Sequence, residues 1–190
     1  MAPEVKFWPP SVEEARPTHC SLCGVGAREG GLLWLYGHGL VTRQQRGPAA
    51  PGEAPTCAEI SVRRYLCRKC ATVIRVVPAW CVAGKHFSGA AIALALALWG
   101  CAGQSAAEVR EQVNDWGVRG AGARGWRALR RWAAEVGAGT LFSGLNLGVL
   151  AGSAREVARR AAQALAGHAP LAWRSAAVEH QAQLGYCHVT

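Results

Sequence analysis

Lysine is nearly absent from this chain: Lys6, Lys69 and Lys85 stand against eighteen arginines. Acidic residues are few and uneven, with none between Ile60 and Ala107 and none between Gly117 and Ala134. No segment supplies the roughly 20 apolar residues that cross a bilayer. The longest apolar run, 87–103, is interrupted by Ser88 and by glycines. Met1-Ala2-Pro3-Glu4-Val5 has no apolar signal-peptide core. These absences predict a soluble, cytoplasmic protein with no membrane association. A Walker-type phosphate loop is missing too. Gly120-Ala121-Gly122-Ala123-Arg124-Gly125 has dinucleotide-loop spacing, but it does not follow a predicted strand, which that reading requires. Beyond Val136 the only acids are Glu156 and Glu179. No catalytic residues are assigned, and an enzyme is not expected.

Cysteine, by contrast, is well represented, with eight residues. Four of them form two short pairs, Cys20-Ser21-Leu22-Cys23 and Cys67-Arg68-Lys69-Cys70. A two-residue spacer lets both sulfurs of a pair face one ion, and two pairs complete a tetrahedral thiolate set. One structural Zn2+ held by Cys20, Cys23, Cys67 and Cys70 is therefore expected, with ordinary buried or disulfide-bonded cysteine as the alternative. In a reducing compartment, paired thiols favour metal. Cys81 and Cys101 read as core residues. His19, and Cys187-His188 together with His180, are weaker ligand candidates.

The fold class expected is α+β: a small antiparallel zinc ribbon, then an all-helical helix-turn-helix, then a helical tail. Residues 1–17, with Pro3, Pro9, Pro10 and Pro17, read as an extended lead-in. Residues 18–82 read as the ribbon. Within it, 31–41 is one strand, or two broken at Gly37-His38-Gly39, and 43–56 is a long mobile hairpin tip. Residues 60–66 and 72–77 are strands, the second stopped by Pro78. Residues 86–136 hold three helices. The first, 88–99, has leucines that alternate at a strand period, yet its alanine-leucine composition favours helix. Ser105 and Glu108 form a capping-box pattern for the second, 106–113. The third runs over about 124–136, with Trp126, Leu129, Ala133 and Val136 on its buried face. Residues 140–190 form the tail, with helices at 154–166, capped by Ser153, and at 171–184.

Net charge is +9, which favours a polyanionic partner. Arginine suits bidentate contacts to phosphate and to guanine edges. The two acid-free stretches fall on the ribbon and on the third helix. The DNA-binding residues expected are Arg63, Arg64, Arg68 and Lys69 on the ribbon, and Arg119, Arg124, Arg127, Arg130 and Arg131 around the third helix.

A further pattern runs through 18–135: Cys20, Cys23 and Gly24; then Tyr36, His38 and Gly39; then Arg63-Arg64-Tyr65 ahead of Cys67 and Cys70; then Pro78; and Arg-Arg-Trp ending at Trp132. This order resembles the zinc-ribbon and helix-turn-helix region of bacterial insertion-sequence transposases and related stand-alone DNA-binding proteins. The resemblance implies double-stranded DNA as partner, near mobile-element ends or promoters, in a nucleoid-associated protein. The chain departs from such transposases in having no later catalytic domain with three spaced carboxylates. The alternative function is a protein-interaction adaptor in a larger nucleoprotein or defence assembly, with a protein partner or a homodimer.

Overall fold

The computed structural model describes residues 9–116, 125–145, 147–148 and 151–189. The chain separates into two compact units, one of Met1–Gln45 with Ala58–His86 and one of Arg46–Cys57 with Phe87–Thr190. The architecture is mixed α and β, with small antiparallel sheets and five described α-helices. No described helix is long and apolar enough to cross a membrane.

In the first unit, β1 (Arg28–Glu29) and β2 (Leu32–Leu33) form a tight hairpin. Its turn residues Gly30 and Gly31 take φ of 60° and 75°, the primed-turn conformation that matches strand twist. A three-stranded sheet follows, in the order β3 (Leu35–Gly47), β4 (Thr56–Cys67), β5 (Val73–Val76). Two small apolar clusters are seen in this unit among the described residues. Val25, Ala27 and Leu35 pack with the knuckle cysteines, and Ile60, Val62 and Cys81 pack with Val41 and Val77.

One open alternative is resolved and two expectations change. β3 runs unbroken through Gly37-His38-Gly39. The described lead-in residues are docked rather than extended: the chain turns at 12–15, and the buried Tyr65 hydroxyl donates to the Val12 carbonyl at 2.6 Å. The 43–56 tip is not a free loop. The strands reach into it on both sides, and Gln45, Gly47 and Pro48 are buried. Short polar and proline-rich stretches look solvated in sequence, but here their backbone groups find partners, as when the Ser88 N–H donates to the Arg46 carbonyl at 3.1 Å.

In the second unit, α1 (Gly89–Gly100) is the axis. Every residue from Ala90 to Trp99 is buried. That explains why its leucine spacing carried no amphipathic signal: a helix covered on all sides needs no polar face. α2 (Ala106–Val113) begins with the Ser105–Glu108 capping box, and α3 (Arg127–Gly137) buries Leu129, Trp132, Ala133 and Val136. Trp126 lies just before α3, with its ring edge-on to Phe87 and Trp132 at 5.4 and 5.0 Å. α4 (Ala154–Gly167), capped by Ser153, and α5 (Val178–Gly185) pack on α1 and on each other. The tail helix expected over 171–184 is shorter. Leu171–Trp173 is a single 3-10 turn, and the Gln181 amide donates to the carbonyls of Arg174 and Ala176, which satisfies them outside any helix.

Candidate metal centre

The two Cys-x-x-Cys turns have the same local geometry, although one is followed by glycine and the other by alanine. In the first, Gly24 N–H donates to Cys20 O at 3.0 Å and Cys20 N–H to Val25 O at 2.8 Å. In the second, Ala71 N–H donates to Cys67 O at 2.8 Å and Cys67 N–H to Thr72 O at 2.9 Å. Both turns close through a left-handed residue, Gly24 at φ 70° and Ala71 at φ 58°. A further bond, Arg68 N–H to Trp34 O at 3.0 Å, ties the second knuckle to the start of β3.

The turns converge. The sulfurs of Cys20, Cys23, Cys67 and Cys70 all lie within 4.8 Å of one another, and the Cys20–Cys70 and Cys23–Cys67 pairs are each 3.7 Å apart. A tetrahedron with ~2.3 Å metal–sulfur bonds has edges of about 3.8 Å. All four are free thiols. The four cysteines are close enough to hold a metal ion, and they would fill every tetrahedral position.

Their proton affinities are pulled apart. Backbone N–H groups of Cys23 and Leu22 draw the Cys20 thiol below its ordinary value. The Thr72 N–H and hydroxyl hold Cys70 at about 6. The Val25 N–H favours the Cys23 thiolate, but burial and the three neighbouring sulfurs outweigh it and push Cys23 up to about 11. Four thiolates at these separations repel one another, so their joint deprotonation calls for a cation. Protons compete with metal for the same sulfurs, so acidification favours release.

The Ala71 position gives a test of the knuckle backbone. A left-handed conformation costs an L-residue about 1–2 kcal/mol, partly offset by the greater chain entropy that glycine loses. Ala71→Gly is expected to stabilise the metal-loaded protein by about 0.5 kcal/mol, and Gly24→Ala to cost about 1 kcal/mol. Denaturant midpoints of the two variants should move in opposite directions, and a fall in both would contradict the geometry.

The expected DNA-contact residues fall into distinct settings. Arg63 donates its Nε–H to the Pro10 carbonyl, so it helps hold the lead-in. Arg64 lies alongside Gly39, where an added Cβ would be 3.7 Å from its guanidinium. Arg68 and Lys69 are exposed at the second knuckle, with the Arg68 guanidinium 5.2 Å from the Tyr36 ring centroid. Arg127, Arg130 and Arg131 are exposed on α3. Arg119 and Arg124 lie outside the described residues. His19 contacts the Thr18 hydroxyl, not the sulfurs. Sequence reasoning missed Arg110, which is buried in α2 and donates to Gly125 O at 3.2 Å. A mid-helix arginine carries no sequence mark that separates a buried role from a solvated one.

The chain matches no family model, no curated protein and no solved structure.

Proposed function

We propose that the chain is a non-enzymatic, zinc-stabilised DNA-binding protein of the transposase-associated type, with α2 and α3 forming a helix-turn-helix and α3 contacting duplex DNA. An all-thiolate, fully closed donor set suits a structural Zn2+. The observation that carries the DNA reading is the charge at the start of α3. α2 and α4 place Glu108 and Glu156 in their first turns, whereas the first turn of α3 holds no acid and its N-cap offers no side-chain hydrogen bond. Arg127 and Arg130 sit there instead, against the positive end of the helix dipole. That placement is unfavourable in isolation and becomes favourable when a phosphate lies across the helix start. With Leu129, Trp132, Ala133 and Val136 buried behind them, these arginines face outward with Arg131.

Arg127→Ala and Arg131→Ala are each expected to weaken duplex binding about 3- to 10-fold. Each should also lower the slope of log affinity against log salt by about one where the arginine meets a phosphate. Titration of labelled duplex over a salt series measures both. Unchanged affinity in both variants would remove α3 from the interface.

A further inference from the structure

The sheet of the first unit has two unlike faces. β4 and β5 pair with Tyr65 opposite Ile74, Arg64 opposite Arg75 and Leu66 opposite Val73. Side chains alternate along a strand. Tyr65 and Ile74 therefore share one face, and Arg64, Leu66, Val73 and Arg75 share the other. The first face is covered: Ile74 packs against the cluster of Cys20, Cys67 and Leu35, and the Tyr65 hydroxyl donates to the Val12 carbonyl. Leu35 belongs to that covered side, which turns its neighbour Tyr36 to the opposite one.

The second face combines cations with apolar surface. Arg68 and Arg75 are exposed, Val73 is 43% exposed, and Tyr36 and Leu66 are half-buried. The Arg68 guanidinium lies 5.2 Å from the Tyr36 ring centroid and donates to the Tyr36 hydroxyl at 3.2 Å, which fixes the ring. Arg64 and Arg75 start from directly opposed positions, where Cβ atoms are about 4.5–5.5 Å apart and like charges destabilise a sheet. The Arg64 Nε is buried without a hydrogen-bond partner among the described residues. An anion lying between the two guanidiniums relieves both conditions.

We infer that this face binds single-stranded DNA. Arginine forks match phosphate oxygens, and Arg64 and Arg75 supply that contact. Tyr36, held by Arg68 and with Leu66 and Val73 on the same face, supplies a platform for an unpaired base. Aromatic stacking beside a cationic surface is how proteins retain single strands without reading their sequence. A duplex keeps its base faces stacked inside and meets only the arginines, so the face discriminates by strand state. The choice of DNA over RNA rests on the function proposed above. The site itself does not depend on α3.

The test is a fluorescence titration of the metal-loaded full chain with a labelled single-stranded DNA of about 12 nucleotides, a usual single-strand site size. Tyr36→Ala should weaken binding about fivefold or more, while Tyr36→Phe, which keeps the ring, should retain most of it. Arg75→Gln, at an exposed position, should lower the slope of log affinity against log salt by about 0.7. Metal content per chain is measured alongside, and Arg75→Gln decides if Tyr36→Ala loses metal. Arg127→Ala should leave the single-strand titration as it was, even where duplex binding falls. A chain that binds the strand but no duplex would support this site and remove the α3 reading. Non-saturable binding overturns the inference. So does unchanged affinity and salt slope in every metal-replete variant of Tyr36 and Arg75, a parallel loss of strand binding in Arg127→Ala, or tighter binding of the same sequence as RNA.

Discussion

Removing the metal with a strong chelator is expected to unfold the first unit while the helical far-ultraviolet signal largely persists. One apolar cluster of that unit is built around the candidate ligands themselves: Cys20 and Cys67 are buried among Val25, Ala27 and Leu35, with Cys23, Cys70, Trp34 and Ile74 around them. Few large side chains are left once the sulfurs lose their common partner. Structural zinc sites contribute about 10–16 kcal/mol of apparent binding free energy, against about 5–15 kcal/mol of net stability for a typical domain. The metal term is therefore as large as everything else that holds such a unit together. Cys67→Ser should reproduce the effect, because the Cys67 sulfur is fully buried and also lies across the centre from Cys23. The measurements are metal content per chain and proteolytic susceptibility of residues 9–86 before and after chelation. A chelated protein that stays protease-resistant throughout would show that the cysteine centre is not needed for folding. Acidification should act in the same direction, since each ligand must lose a proton to bind metal.

The second large effect is expected from Gly185→Ala. Gly185 is buried where α5 meets α4, and a Cβ there would lie 1.8 Å from the Leu165 carbonyl oxygen and 2.8 Å from its carbon. Both are backbone atoms in the packed last turn of α4, so relief requires moving α5 rather than turning a side chain. Overpacking of this kind costs about 1–3 kcal/mol and sometimes more. The unyielding neighbour places Gly185→Ala at the upper end, about 3 kcal/mol, with a fall in melting temperature on the order of 10 °C. Gly167→Ala is the matched control, because a Cβ there meets nothing within 4 Å. Equal melting temperatures for the two variants would contradict the close approach of α4 and α5.

The features legible in sequence were those set by short-range chemistry. Ser105 with Glu108, and Ser153 ahead of a polar-apolar run, marked the starts of α2 and α4 because capping is decided within four residues. The Cys-x-x-Cys spacing brought out the sulfur centre for the same reason. Features that depend on distant partners were hidden. The packing of residues 45–48 depends on side chains some 40 to 135 positions away, as when the Gln183 amide reaches the Pro48 carbonyl at 3.4 Å. Docking of the lead-in rests on Tyr65 and Arg63, neither of which marks its partner in the sequence. A cavity in the first unit is lined by Arg43, Arg75 and Lys85 from three separate segments, and no local pattern connects them.

The hairpin tip that groups with the helices has a consequence for the order in which the protein can be made. Arg46–Cys57 belongs to the unit whose remaining residues begin at Phe87. A Cβ at Gly47 would fall 2.2 Å from that of Ala91, so the tip is shaped to a helix that the ribosome has yet to make when the tip emerges. During synthesis the tip waits, with Gly47 and Pro48 uncovered, until α1 and then α5 leave the exit tunnel. The second unit therefore cannot close until α5 has been made. A nascent chain stalled before Gln183 would already contain all four clustered cysteines and still present an unfinished helical unit to the cell's quality-control proteases.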